Sequence, residues 1–165
     1  MASVSSKFTS TAAALLASVS CIIPVVGSAD AAANDEAAIR VVISKYQDAL
    51  NASSTDQAMA LYTHDGVVMP PYNKSVVGKA QLRKVYEAGS KTFTLNVKFT
   101  IHEIVQMSPE WAFVRTKSSG ISKVLSTGVT NAEANQELFI LHKGDDGAWK
   151  IARYSFSSTN PPPHS

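Results

Sequence analysis

The sequence predicts an α+β domain in which three N-terminal helices pack on a strongly curved antiparallel sheet. Apolar residues recur at helical spacing up to about residue 88, and from Phe93 onward they alternate with polar ones. The chain has 165 residues, 45% hydrophobic and 17% charged, with 8 Gly and 7 Pro. That length and composition suit one buried core and exclude a disordered or collagen-like chain. No repeat or linker divides residues 34–159, so one domain is expected.

The segment before the domain is a separate object. Lys7 is the only charge before Asp30, Ala12–Val26 is mostly apolar, and small residues follow at Gly27-Ser28-Ala29 and Ala31-Ala32-Ala33. This order predicts a secretory signal peptide within residues 1–33, and hence a secreted or periplasmic protein. Ser18, Ser20 and Pro24 make the segment a poor membrane span, so no membrane association is expected of the mature form. Without cleavage or recognition, the expected location is the cytoplasm. Cleavage after Ala29 would remove Cys21, the single cysteine, leaving no thiol in an oxidising compartment.

The first helix is predicted to start at Asn34-Asp35-Glu36, a capping side chain followed by two acids against the positive helix end. Ile39, Val42, Ile43, Tyr46, Ala49 and Leu50 form its apolar stripe. Ser54-Thr55-Asp56-Gln57 has capping-box spacing and begins a short second helix, with Asp65-Gly66 as its stop. Val67-Val68-Met69 reads as a brief strand cut off by Pro70-Pro71. A third helix is expected from Lys79 to Ala88, burying Leu82, Val85 and Tyr86, with Gly89 as its C-cap. Long strands follow. Phe93 to Met107 alternates with its apolar face at odd positions, Trp111 to about Val124 returns after Ser108-Pro109-Glu110, and about Glu133 to His142 forms a third. Gly144-Asp145-Asp146-Gly147 turns the chain into a last strand, Trp149–Phe156, and residues 160–165 form an unstructured tail.

Several stretches together carry a family resemblance. They are Leu61-Tyr62-Thr63-His64-Asp65-Gly66-Val67-Val68-Met69-Pro70-Pro71, Val76-Val77-Gly78-Lys79, Trp111-Ala112-Phe113-Val114-Arg115-Thr116, Glu137-Leu138-Phe139-Ile140-Leu141 and Trp149-Lys150-Ile151-Ala152-Arg153-Tyr154. The chain resembles SnoaL-like and SgcJ/EcaC-like members of the nuclear-transport-factor-two-like superfamily from roughly Asp35 to Thr159. The resemblance implies a cystatin-like cone with a central pocket, commonly paired as a homodimer through the sheet face. It is a poor guide to reaction, because this fold hosts isomerases, dehydratases, hydrolases, cyclases and plain binders. Ketosteroid isomerases of this superfamily use a carboxylate base near the end of the first strand and a tyrosine donor. Tyr46 falls where that tyrosine would fall, but the base position reads Met69-Pro70, which argues against the steroid-isomerase mechanism.

Among charged residues, Arg115 shares a strand face with Trp111 and Phe113, an unusual place for an unpaired guanidinium. Glu137, in the face of Phe139 and Leu141, is its expected partner, and Asn135 points the same way. The functional expectation is a polar patch at the pocket floor. There Arg115 orients a ligand carbonyl or carboxylate, Glu137 acts as acid or base, and Tyr46 donates. Asn135, Met69, Tyr86, Tyr154 and Phe156 would line the ligand. The same residues also read as a structural ion pair and ordinary core aromatics. Which face of Trp111–Val124 meets the pocket stays open. An ion pair between Arg115 and Glu137, and weaker ligand binding on Arg115→Ala, are the expectations to test.

Other patterns carry less. His102-Glu103-Ile104-Val105-Gln106 begins like a zinc-protease helix but has Gln for the second His and strand periodicity, so no metal is expected. No phosphate loop or nucleophile elbow occurs, and no cofactor is expected. The net charge of +2 is spread along the chain, which argues against nucleic acid as a partner. The functional expectation is an exported pocket protein that binds, and transforms without cofactor, a small hydrophobic carbonyl-bearing molecule. The alternative is a non-catalytic homodimeric binding module.

Overall fold

A computed structural model describes residues 27–161, with side chains from Asp30 onward. The leader's Lys7, apolar run and Cys21, and the last residues of the tail, lie outside the described residues. Three helices and six strands follow one another as α1 (Gly27–Asn51), α2 (Thr55–Ala60), β1 (Tyr62–Met69), β2 (Val76–Val77), α3 (Lys79–Thr92), β3 (Phe93–Gln106), β4 (Trp111–Val124), β5 (Thr130–Lys143) and β6 (Trp149–Ser158). The strands form one curved sheet in the order β2-β1-β6-β5-β4-β3. Helices on one face of a largely antiparallel sheet are the α+β arrangement the periodicity predicts.

The apolar stripe of α1 lies on the sheet. Ile39, Ile43, Tyr46 and Ala49 are buried against Val114, Phe139, Leu141, Ile151 and Tyr154. Tyr46 sits edge-on to Phe139 and Tyr154, with ring centroids 5.6 Å and 5.4 Å away. Polar ties fix the sheet-packed part of the helix, from Asp35 to Asn51, at both ends. Asp35 accepts hydrogen bonds from Lys143 Nζ at 2.7 Å, Trp149 Nε1 at 3.0 Å and Gln106 Nε2 at 3.1 Å. At the other end Asn51 donates to the Val97 carbonyl at 2.9 Å and accepts from its N–H at 2.8 Å, while Gln47 accepts from the Phe99 N–H at 2.8 Å. β3 is a sheet edge, and these side chains occupy backbone groups that no further strand satisfies.

Five local expectations are corrected. α1 begins at Gly27, not Asn34, because the helix-favouring run Ala31–Ala33 carries it toward the N-terminus. α2 ends at Ala60, with Ser54 accepting from the Gln57 N–H at its start, and His64-Asp65-Gly66 lie inside β1. Gly66 is needed there for space, since a Cβ would stand 2.9 Å from the Tyr62 ring. Gly89 lies within α3, and Phe93 caps the helix. The sheet is mixed, because β1 runs parallel to β6. Finally, a bulge between Ile101 and Glu103 shifts the phase of β3, so that Val105 and Met107 turn outward and Ile104 inward. Opposite this strand, Gly120 lets the β4 backbone approach Asn96, whose carbonyl oxygen would collide with any Cβ. The bulge and this close approach bend the sheet around α1.

Candidate functional site

The cupped sheet and the three helices enclose a cavity of about 300 Å³. Its walls are largely apolar: Leu50 and Ala49 from α1, Val68 and Pro70 at the end of β1, Leu82 and Val85 from α3, Leu95, Val97 and Phe99 from β3, and Phe156 from β6. Val85 and Phe93 line it while remaining exposed to solvent, which marks its open end. None of the described residues lining it is Lys, Arg or His, and Glu133 is its one charged lining residue.

Strand pleating decides which polar groups reach this space. In β4 the even positions Ala112, Val114, Thr116 and Ser118 are buried and the odd positions face out. In β5 the inward set is Asn135, Glu137, Phe139 and Leu141. Asn135 and Ser118 line the cavity, and the Asn135 amide lies 3.5 Å from Ser118 Oγ. Glu137 sits directly behind them, 4% exposed. Its two carboxyl oxygens accept from the Thr116 and Ser118 hydroxyls, and no ion pair reaches it among the described residues. Burial pushes the Glu137 carboxyl above its usual range, while the Ser118 and Thr116 hydroxyls pull it part of the way back.

A second polar group comes from three tyrosines on three elements. Tyr46 of α1, Tyr62 of β1 and Tyr86 of α3 bring their hydroxyls together, with oxygens 2.5 Å apart for Tyr46–Tyr86, 2.9 Å for Tyr62–Tyr86 and 3.4 Å for Tyr62–Tyr46. Tyr46 and Tyr86 line the cavity and Tyr62 stands behind them. In each of the two short contacts either oxygen can be the donor, so three protons serve three oxygens and the cluster can turn one of them to a ligand acceptor from Tyr46 or Tyr86, the two that line the cavity. Burial pushes the Tyr46 and Tyr62 phenols well above the ordinary tyrosine value, so both stay protonated donors at neutral pH. Tyr154 is shifted the same way by burial and by the nearby Glu137, and it stacks between Phe139 and Phe156.

The structure thus brings Tyr46, Tyr86, Asn135, Tyr154 and Phe156 to one cavity, with Glu137 just under its floor. Two expected members are elsewhere. Arg115 does not pair with Glu137: it lies opposite Leu138 in the β4–β5 register, and its Nε bonds Glu103 Oε1 at 2.5 Å on the outer face. The cross-strand neighbour of Glu137 is Thr116, one residue along, and a one-residue step reverses the face. Met69 is 39% exposed and points away, because an irregularity in β1 between Tyr62 and Val67 puts Val68 inside instead.

Sequence reasoning missed Thr116, Ser118 and the third tyrosine hydroxyl. The run Val114-Arg115-Thr116-Lys117-Ser118 held the signal, since charges alternate with uncharged residues and mark the even face as inward. Tyr62 carried no such mark, because only the fold joins it to Tyr46 and Tyr86. Among the described residues no three His, Cys, Asp or Glu side chains form a group able to hold a metal, and no helix is long and apolar enough to cross a membrane.

Comparison with known proteins gives this geometry a context. A family model described as a SnoaL-like domain matches residues 43–154. A ketosteroid isomerase-like protein from Erwinia carotovora atroseptica SCRI1043 is 38% identical, with a TM-score of 0.73 over 76% of this chain and 96% of that one. A putative scytalone dehydratase from Novosphingobium aromaticivorans DSM 12444 shares the fold at 21% identity, with a TM-score of 0.69 over 83% of this chain and 99% of that one. The orange carotenoid-binding protein of Synechocystis is 29% identical over 101 residues, which is 59% of this chain and 31% of that protein's length.

Proposed function

Because the chain belongs to the SnoaL-like domain family, we propose that it binds a small, hydrophobic carbonyl compound in its central cavity and carries out acid–base chemistry on it without a cofactor. The observation that supports this reading is the apolar cavity lined by Tyr46 and Tyr86, two members of a cluster of three hydrogen-bonded tyrosine hydroxyls able to offer a donor to a ligand. A carbonyl oxygen on Tyr46 is polarised toward an enolate. The proton leaving the adjacent carbon passes to Ser118 Oγ as the Ser118 proton passes to Glu137, and the electron pair of the broken C–H bond becomes the enolate π bond. Return of the proton to a different carbon completes an isomerisation. The relative named for carotenoid binding supports a hydrophobic ligand.

A second reading, a non-catalytic homodimeric binding module, is favoured by one specific feature. Pro70 lines the cavity and Met69 faces out where the isomerase resemblance calls for a carboxylate base. The two readings separate with acetonaphthone, a flat aromatic methyl ketone. Fluorescence titration is expected to show saturable binding that Tyr46→Phe weakens about tenfold and Arg115→Ala leaves unchanged. Exchange of its methyl protons for deuterium faster than in buffer, followed by NMR in deuterated water, supports catalysis. Binding without exchange supports the carrier, and no binding overturns both. We also propose export through the N-terminal segment, pairing through the outer sheet face and SgcJ/EcaC-like kinship. N-terminal sequencing of the secreted form tests export.

A further inference from the structure

Around the open end of the cavity, positive charge and exposed apolar groups occur together. The net charge of the chain is only +2, yet Lys74–Lys91, the stretch that holds β2 and most of α3, has five cations and a single acid. Arg83 is used within the fold: it pairs with Asp56 at 2.6 Å and with Glu87, that single acid, at 3.7 Å. Lys74, Lys84 and Lys91 enter no ion pair among the described residues. Lys74 and Lys84 line an open groove between β2 and α3, together with Val77, Val85 and Ala88. Lys84, Ala88 and Lys91 share one face of α3, the two lysines about 10 Å apart along its axis.

Apolar side chains stand among these lysines. Val85 lines both the groove and the cavity, so the groove adjoins the mouth. Val77, Val85 and Phe93 are all exposed. Tyr72, in the turn between Pro70 of the cavity wall and Lys74, is wholly exposed. Its φ of 60° lies in the left-handed region that bulky side chains avoid, and Asn73 Nδ2 closes the turn on the Pro71 carbonyl at 3.2 Å. An aromatic ring held in water by a strained turn is stabilised once an apolar layer covers it.

We propose that this rim docks the protein on an anionic lipid surface, with the cavity mouth toward the bilayer. A bilayer matches both features at once: negative headgroups meet the lysines, and the acyl boundary beneath them takes Val77, Phe93 and the Tyr72 ring. Lysine suits such a partner, since a flexible point charge needs no fixed geometry, whereas the one arginine of the stretch already holds two carboxylates. An acidic peptide or a nucleic acid matches the charge but leaves the apolar groups in water. The contact is peripheral: no helix among the described residues is long and apolar enough to cross a bilayer. Joined to the pocket reading above, docking lets a hydrophobic molecule pass between lipid and cavity without crossing water.

The test is flotation of the full chain with vesicles of phosphatidylcholine alone or with roughly 30% phosphatidylserine. No ligand is added, so failure here is distinguishable from failure of the pocket reading. Binding is expected to be roughly a hundredfold tighter to the anionic vesicles, about fivefold for each lysine. Lys74→Ala, Lys84→Ala and Lys91→Ala combined are expected to remove that difference, and Tyr72→Ser with Val77→Ser to weaken anionic binding about tenfold. Residues 1–26 are common to every variant and cannot account for a difference between them. Tyr72→Trp reads the orientation: its added emission is expected to move to the blue on anionic vesicles, while that of Trp111 and Trp149 stays in place. Circular dichroism checks folding, and if a variant fails to fold the wild-type comparison of the two vesicles decides. The proposal is overturned if the wild type does not float, floats equally with both vesicles, or keeps its preference in the triple lysine variant. A blue shift of the wild-type emission with none from Tyr72→Trp overturns it too, because the outer sheet face would then be the one in contact. Displacement from the vesicles by polyglutamate at equal charge likewise overturns it in favour of an acidic chain.

Discussion

Glu137 and Asp35 are both carboxyl groups surrounded by donors, yet their environments push them in opposite directions. Burial without a cation raises Glu137, so its folded form holds the proton more tightly than the unfolded chain does. Its charged form therefore weighs against folding above its folded titration point, and that weight is lifted as pH falls toward the unfolded value near 4.3. Lys143 holds Asp35 below the ordinary carboxyl range, so its contribution is present above about pH 3.9 and lost as pH falls through the depressed value. We expect Glu137→Gln to melt within about 1 kcal/mol of the wild type at neutral pH, and Glu137→Ala to lose about 2–3 kcal/mol by leaving two buried hydroxyls without their acceptor. Asp35→Ala is expected to lose about 1–2 kcal/mol at neutral pH, with the gap closing in acid. Thermal melts against pH check all three: the wild type is expected to gain stability relative to Glu137→Gln as pH falls, and a relative loss in acid contradicts the assignment. At this scale the inward direction of Glu137 was legible from its phase with Phe139 and Leu141. The partner of Arg115 was not, because register between strands decides it and one residue of slip exchanges Glu137 for Leu138.

Elements repeat the pattern of legible periodicity and hidden pairing. The stripe of α1, the capping of α2 and the four long strands follow from spacing, since 3.6 and 2.0 residue periods leave direct marks in sequence. What sequence does not mark is contact between distant segments. The parallel joining of β1 to β6 brings together runs some ninety residues apart, as in the pairing of Tyr62 with Ile151. The bulge at His102 reads locally as one more polar position, and only the β4 register shows that it exchanges the faces of β3. The same dependence makes the α1–β3 seam a place to test. Asn51 acts there as a substitute strand, giving the Val97 N–H and carbonyl their partners. Asn51→Ala is expected to cost about 2 kcal/mol, because both backbone groups lose their partner at a part-buried edge. Urea denaturation with an unchanged slope and a lowered midpoint is the expected result, and a midpoint equal to wild type would show that water replaces the side chain at no loss.

On the scale of the whole molecule, the two faces of the sheet differ in kind, and the proposed pairing rests on the outer one. The inner face holds the cavity, while the outer face presents Trp111, Leu138, Val105 and Met107, between 37% and 53% exposed. Phe113 and Ile140 lie in the same register between β3 and β6, so the apolar residues run across adjacent strands instead of standing singly. The Arg115–Glu103 pair sits within this patch. This apolar patch is the physical case for the proposed homodimer, and Arg115, first expected at the pocket floor, lies within the patch. Sedimentation equilibrium at high micromolar concentration is expected to give a dimer. Leu138→Glu with Trp111→Glu is expected to give a folded monomer that still binds acetonaphthone, because neither side chain touches the cavity. A wild-type monomer at that concentration, or a charged double variant that stays dimeric, removes the outer face as the interface. A monomeric variant that also loses ligand would show instead that pairing shapes the cavity from behind, through the shared strands β4 and β5.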